Sequence, residues 1–210
     1  MIHVDFDAWD SYVDELANND YVVIDNFLPN ELLNDLIAFF NDKIEDDAFD
    51  KAAIGSSGQE HIISEVRGDY TYWLDKKQDM SLENLFSFLE EIKLLLNRMC
   101  YLSLSTYEFH LAHYPKGSFY KKHLDQFQHR NNRMISVVVY LNDDWKQGDG
   151  GELAVYPKNR EHKTIAPLMN RCVLFKSADL LHEVLTANRS RKSLTGWMLY
   201  QPSVLVTIAP

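Results

Sequence analysis

His123 and Asp125 stand one residue apart in the segment KKHLD. In an extended strand, residues i and i+2 point to the same side, so an imidazole nitrogen and a carboxylate oxygen in this order can reach one metal ion. His182 offers a third donor from much further along the chain, after the apolar run RCVLF and the polar stretch KSADL. Two histidines and one carboxylate on one face of an octahedral ion make the facial arrangement of non-haem Fe(II) oxygenases. The opposite positions stay open, which suits a chelating cosubstrate and O2. Taken singly, each residue has a plainer reading. His123 and Asp125 could form a surface pair beside Lys121 and Lys122, and His182 could be a hydrogen-bonded loop histidine.

A second feature favours the joint reading. Arg191 follows soon after His182, in the run NRSRKS that leads into SLTGWMLY. A 2-oxoglutarate cosubstrate would chelate iron through its keto acid end and leave its distal carboxylate in need of a cation. The planar guanidinium fork meets a carboxylate with two parallel hydrogen bonds. Ser193, two residues on, shares that side of a strand and adds a hydroxyl. The plainer reading of Arg191 is a solvated charge, with Lys192 as the alternative anchor. Two histidines and an aspartate could also hold zinc, but no HExxH motif supplies a glutamate base.

These residues need a scaffold. The first hundred residues read mainly as helix. Pro29 opens a segment with apolar residues at Leu33, Leu36, Ile37, Phe40 and Ile44, a helical spacing. Ser81 is placed to cap a second helix with apolar positions Leu85, Leu89, Ile92, Leu96 and Met99. Tyr21 to Phe27 (YVVIDNF) reads as a strand before the first of these helices. Ala52 to Asp75, with Gly55, Gly58 and Gly68, reads as a binding loop. From Leu102 onward, short runs rich in Val, Ile, Tyr and Phe alternate with turn signals such as QGDGG. They indicate a sandwich or barrel. The expected class is one α+β domain over residues 1–210, with residues 1–101 as helical support and 102–210 as the β core.

The bulk composition excludes some functions. The formal net charge is −10, from 21 Lys and Arg against 31 Asp and Glu. Such a chain is a poor general binder of nucleic acid or of anionic membranes. The two cysteines, Cys100 and Cys172, lie in apolar runs without metal-binding spacing and read as buried thiols in a reducing compartment. The acidic N-terminus lacks a signal-peptide pattern, so a soluble, cytoplasmic protein is expected.

Seven elements occur in order: VRGDYTYWL, HYPKGSFYKKHLD, ISVVVYLND, GDGGELAVYP, APLMNRCVLFKS, LHEV and RKSLTGW. Together they resemble the prolyl 4-hydroxylase branch of the 2-oxoglutarate/Fe(II) oxygenases, in particular the group containing the hypoxia-inducible-factor prolyl hydroxylases and their bacterial relatives. The resemblance runs from about YVVIDNFLP to TGWMLY. It implies a double-stranded β-helix, or jelly-roll, braced by N-terminal helices. It implies iron on His123, Asp125 and His182, and the distal carboxylate of 2-oxoglutarate on Arg191. It implies that Tyr114 and Tyr120 line the cosubstrate pocket with Ser193, Thr195, Trp197 and Val184. Arg67, Asp69 and Trp73 match the substrate-side loop of the family. The implied reaction uses O2, with ascorbate as the usual reductant, and hydroxylates a prolyl residue of a protein substrate. A free amino acid or another small molecule is the alternative substrate, and a non-catalytic ligand-binding jelly-roll the alternative class.

Overall fold

In this computed structural model, which describes residues 6–52, 66–126, 131–158 and 160–201, two antiparallel sheets face each other and helices cover the outside of the larger one. The larger sheet has seven strands, in the order β1 (Tyr21–Ile24), β9 (Cys172–Lys176), β6 (Arg133–Tyr140), β11 (Arg191–Tyr200), β4 (Leu104–Tyr114), β3 (Tyr70–Trp73), β2 (Asp50–Lys51). The smaller has four: β5 (Tyr120–His123), β10 (Leu181–Val184), β7 (Leu153–Tyr156), β8 (Lys163–Ile165). This is the jelly-roll architecture.

The period-2 alternation of the strands decides what lies on each side. On the outer face, Phe109, Leu111, Ile135, Val137, Val139, Leu174, Leu194 and Met198 join one apolar core. The helices α1 (Phe6–Asn19), α2 (Asn30–Glu45) and α3 (Glu83–Cys100) fill the other side of that core. On the inner face, Ala112, Tyr114, Val138, Tyr140, Val173 and Phe175 join a second, smaller cluster with Leu153, Val155 and Val184 of the small sheet. Gly196 sits where β11 and β4 press together. A Cβ there would lie 2.3 Å from the Phe109 ring and 2.4 Å from the Glu108 carbonyl oxygen, so only glycine fits without moving one of them.

Pro29 immediately precedes α2, and its carbonyl accepts from Leu33 N–H at 3.0 Å. Leu33, Leu36 and Phe40 are buried, as their spacing predicts. The entry to α3 differs from expectation. Ser81 does not cap it: Met80–Leu82 form a 3-10 turn and Ser81 is exposed. Asp79 organises the entry instead. Its carboxylate accepts from Tyr72 Oη at 2.7 Å and from Asp75 N–H at 2.8 Å, and its carbonyl accepts from Leu82 N–H at 3.0 Å. A buried carboxylate with two donors holds a turn better than an exposed serine.

Three strands come from the first hundred residues and extend the large sheet, so that part of the chain is more than helical support. The acidic N-terminal segment also forms α1, burying Trp9 and Leu16. Gly55 and Gly58 of the expected loop lie outside the described residues, whereas Gly68 is within them. Neither cysteine is in a disulfide, and Cys172 is buried. No helix among the described residues is long and apolar enough to cross a membrane.

Candidate metal and cosubstrate site

The triad is assembled by pairing of two distant segments. β10 runs antiparallel to β5 with His182 directly opposite His123. Asp125 lies just beyond the end of β5 rather than in it. Its position is set by the large sheet: Ser136 Oγ donates to Asp125 Oδ2 at 2.6 Å, and Arg133 Nη1 donates to the Asp125 carbonyl at 3.4 Å. Ser136 in turn contacts Ser177 Oγ at 2.8 Å. The carboxylate therefore turns Oδ1 toward the histidines.

Each imidazole is oriented by a backbone carbonyl. His123 Nδ1 lies 2.7 Å from the Lys121 oxygen and His182 Nδ1 lies 3.0 Å from the Leu180 oxygen. A carbonyl only accepts, so each Nδ1 carries a proton, and in the neutral ring Nε2 is left with the lone pair. Both Nε2 atoms face Asp125 Oδ1, at 3.4 Å from His123 and 3.6 Å from His182. One donor atom from each of the three residues lies within 4.8 Å of the others. Lone pairs converge with no proton between them, which is an arrangement for a cation. Burial acts to raise the Asp125 carboxyl, but His182, His123 and the Ser136 hydroxyl outweigh it and hold it well below the usual carboxylate range. Burial pushes His182 down. An ionised carboxylate beside two imidazoles results, and that donor set fits iron. Tyr120 stacks on His123 with ring centroids 3.6 Å apart, and the edge of the contact between Phe175 and His182 closes the other side at 4.6 Å. The alternative of a surface pair beside Lys121 and Lys122 does not hold: His123 and Asp125 face each other, but Asp125 is buried, while both lysines are exposed and Lys122 sits over the Tyr156 ring.

A cavity of about 270 Å³ opens between the sheets, lined by all three triad residues and by Arg191. Arg191 is the first residue of β11 and is buried. Its Nε donates to the Gly151 carbonyl at 2.9 Å and its Nη1 to Ser193 Oγ at 3.3 Å. Gly151 has φ +74°, and a Cβ there would come within 3.0 Å of Arg191 Cδ. The glycine-rich turn thus supplies both the oxygen and the room that the guanidinium needs. Cross-strand register puts Tyr114 opposite Arg191, and the guanidinium lies 4.7 Å from the Tyr114 ring centre and 5.0 Å from that of Tyr140. Tyr140 is fully buried, yet its hydroxyl has no hydrogen-bond partner among the described residues. A buried, fixed guanidinium on the cavity lining matches the distal carboxylate of 2-oxoglutarate.

The remaining sequence-predicted residues divide into two groups. Tyr120, Thr195, Trp197, Val184, Arg67 and Trp73 all line the cavity. Ser193 and Asp69 do not: both are fully buried behind it. Ser193 accepts from Arg191 and contacts Thr195 Oγ1 at 3.1 Å, so it braces the arginine. Asp69 accepts from Arg67 Nε at 2.7 Å and Nη2 at 2.5 Å, so it aims Arg67, whose guanidinium lies 4.5 Å from the Tyr120 ring centre. Lys192 points to the opposite face, where it donates to Asn41 at 2.8 Å. Sequence reasoning missed Glu108, His110, Arg133, Ser136 and Tyr140. The alternation in EFHLAHY and MISVVVY marks which of these share a face, but not that the face belongs to the site.

Residues 109–199 match the family described as the 2OG-Fe(II) oxygenase superfamily. A prolyl-4-hydroxylase from Pseudomonas putida is 32% identical, with 91% of this chain and 98% of that one covered and a TM-score of 0.82. The chain belongs to the 2OG-Fe(II) oxygenase superfamily. The oxygenase also shares its fold with a prolyl hydroxylase from Trichoplax adhaerens, solved with a hypoxia-inducible-factor peptide fragment, at 23% identity and a TM-score of 0.81, covering 94% of each chain. A prolyl 4-hydroxylase from Phytophthora capsici superposes with a TM-score of 0.74 at 24% identity, over 95% of this chain and 67% of that one. The cofactors of this oxygenase are Fe(II) and 2-oxoglutarate, with O2 as cosubstrate.

Proposed function

We propose that this oxygenase hydroxylates a prolyl residue within a protein or peptide, with His123, Asp125 and His182 holding iron and Arg191 holding 2-oxoglutarate. With iron and 2-oxoglutarate bound, O2 would be the oxidant: one of its oxygen atoms would convert C–H to C–OH, and the other would go to 2-oxoglutarate, which leaves as succinate and CO2. The protein's own work is positional. The backbone carbonyls of Lys121 and Leu180 keep both Nε2 lone pairs turned inward. Ser136 holds the carboxylate, and Gly151 and Ser193 fix the guanidinium. Tyr114 and Tyr140 flank that guanidinium and wall off the distal end. No side chain is required as a general base.

The observation that carries the prolyl reading is the aromatic wall of the cavity, where Trp73, Trp197 and Tyr120 surround the metal-facing floor. Aromatic-lined grooves favour proline-bearing segments, whose rings and fixed φ suit flat apolar faces. Trp73 is half exposed, so a long substrate can enter past it. The similarity to the Pseudomonas enzyme at 32% identity supports the same reading. Two unpaired cysteines support a reducing, cytoplasmic setting.

The test is incubation of the purified protein with Fe(II), 2-oxoglutarate, ascorbate and air, with and without a panel of proline-containing peptides. Succinate is expected to rise in proportion to peptide bearing one added oxygen, located on proline by fragmentation. Oxygen incorporated into free amino acids but into none of the peptides would overturn the prolyl reading.

A further inference from the structure

Beyond the metal and cosubstrate contacts, two residues that line the cavity each carry a buried polar atom with no hydrogen-bond partner among the described residues. The atoms are His110 Nδ1 and Trp197 Nε1. His110 is 3% exposed and Trp197 7% exposed, and both line the cavity. Their rings are neighbours, 5.4 Å apart at 30° to each other, and Trp73 packs on His110 at 4.8 Å. Arg133 lies over the Trp197 ring at 3.4 Å, so the indole is held flat and cannot swing its N–H away. Buried polar atoms left unpaired are costly and uncommon, so two such atoms on neighbouring cavity-lining residues call for a partner that a bound molecule could supply. Indole N–H can only donate. The imidazole is kept neutral by burial and by the nearby Arg67 and Arg133, against the weaker pull of Asp69 and Asp125. A neutral ring has one accepting nitrogen.

A donor beside an acceptor has a counterpart in peptide chemistry. The N–H and C=O of one extended residue point to the same side, which is how paired strands exchange two hydrogen bonds. We propose that Trp197 and His110 together bind the main chain of one extended substrate residue, with Nε1–H donating to its carbonyl and Nδ1 accepting from its amide N–H. Proline has no amide hydrogen, so this residue is a neighbour of the oxidised one. The inference rests on the prolyl-peptide reading and sharpens it. It makes His110 and Trp197 substrate-orienting residues and makes backbone, rather than side-chain identity, the recognised feature.

The experiment uses a blocked pentapeptide, acetyl-Ala-Ala-Pro-Ala-Ala-amide, and ester analogues in which the N–H of each residue flanking proline is replaced by oxygen, one at a time. With the iron- and 2-oxoglutarate-loaded enzyme, one replacement is expected to lower kcat/KM about tenfold. In His110→Leu the amide peptide loses about tenfold and the same ester replacement costs nothing further. Trp197→Phe lowers kcat/KM for amide and ester alike, mostly through KM for peptide. A readout independent of turnover is the ¹⁵N–¹H indole resonance of Trp197 in the Zn(II)- and 2-oxoglutarate-loaded protein, which should move on peptide addition and move less in His110→Leu. An ester penalty equal in both backgrounds, or a Trp197 resonance indifferent to a peptide that is being hydroxylated, would overturn the proposal. Absence of proline oxidation in any peptide, with succinate still formed, would instead remove the prolyl reading on which it rests.

Discussion

The two faces of the seven-stranded sheet are built by the same strands and obey opposite rules. The helix-facing side is apolar and closed: Leu111, Val137, Val139, Leu174, Leu194 and Met198 are fully buried within a single core. The cavity-facing side, one residue away on each strand, carries His110, Ser136, Tyr140, Arg191, Ser193, Thr195 and Trp197. Three buried side-chain atoms lack partners among the described residues, on His110, Tyr140 and Trp197, and all three belong to this side. Stability is concentrated on one face and unsatisfied chemistry on the other. Functional sites commonly keep local conflicts that the rest of the fold offsets.

The sharpest way to break this contrast is Asp125→Ala. Turnover is expected to fall about a thousandfold or more, because an anionic donor leaves the metal position. The same change should lower the stability of metal-free protein by only about 1–3 kcal/mol, since it removes a carboxylate that the fold stabilises and leaves the Ser136 hydroxyl without that acceptor. Succinate assays and urea unfolding read the two quantities separately. Succinate production at the unsubstituted rate would dismiss the metal assignment.

How far the sequence reveals each face depends on whether the relevant geometry is local. The i, i+2 relation of Arg191 and Ser193 was legible because a strand fixes sidedness within three residues, whereas Asp125 was legible by type and spacing but lies past the end of β5 and is placed by Ser136 and Arg133. His182 was legible by residue type, but its place opposite His123 comes from strand pairing across distant segments. The same holds for Tyr140, opposite Ser193 on β11, and for Ser136, opposite Trp197. Register between distant strands leaves no local trace, so these were missed. Both amphipathic helices at Leu33–Ile44 and Leu85–Met99 were legible from periodicity, as was a sandwich or barrel, while the jelly-roll came from the family resemblance. The capping role of Ser81 was misread because Asp79 gains its partners from Tyr72 and Asp75, through tertiary contact and a turn. Asp69 and Ser193 carried the right chemistry, but the depth at which each sits decides that it touches arginine rather than the cavity.

On the closed face, Leu111→Ala should cost about 2–5 kcal/mol, the range for emptying a well-packed leucine site. Leu111 lies between His110 and Ala112 in sequence but points to the helices. The refolded variant should therefore keep its KM for 2-oxoglutarate. A KM change larger than the loss of folded fraction would show that the two faces are mechanically coupled.

Adjacent residues on β11 allow a finer comparison. Arg191→Ala should raise the KM for 2-oxoglutarate about 10- to 100-fold, as expected when a charged hydrogen-bonding partner is removed. Lys192→Ala, one residue on and facing Asn41, should change it by less than about twofold. Isothermal titration with 2-oxoglutarate under anaerobic conditions measures both. Equal effects would mean that strand alternation does not separate the two cations.

The smallest expected effect concerns His110. Burial, with Arg67 and then Arg133, pushes its pKa from the ordinary value of 6.5 down to about 3, despite opposing contributions from Asp69 and Asp125. Above the ordinary value neither folded nor unfolded protein protonates this ring, and it adds no pH dependence. Below it the unfolded chain takes up a proton that the folded chain refuses. Stability then falls as pH drops through that window, by about 1.4 kcal/mol per pH unit from this group. Burial lowers His113 and His182 as well, so the total slope is steeper than one proton. In His110→Leu the slope of unfolding free energy between about pH 4 and pH 6 should decrease by up to one proton's worth, the remainder coming from the other two histidines and, toward pH 4, from carboxylates such as Asp125 whose pKa the fold lowers. Urea unfolding of metal-free protein at a series of pH values gives that slope. A slope unchanged by the substitution would mean that the imidazole is charged in the folded state, and a charged ring on the cavity face would demand an anionic partner where the structure places two tryptophans.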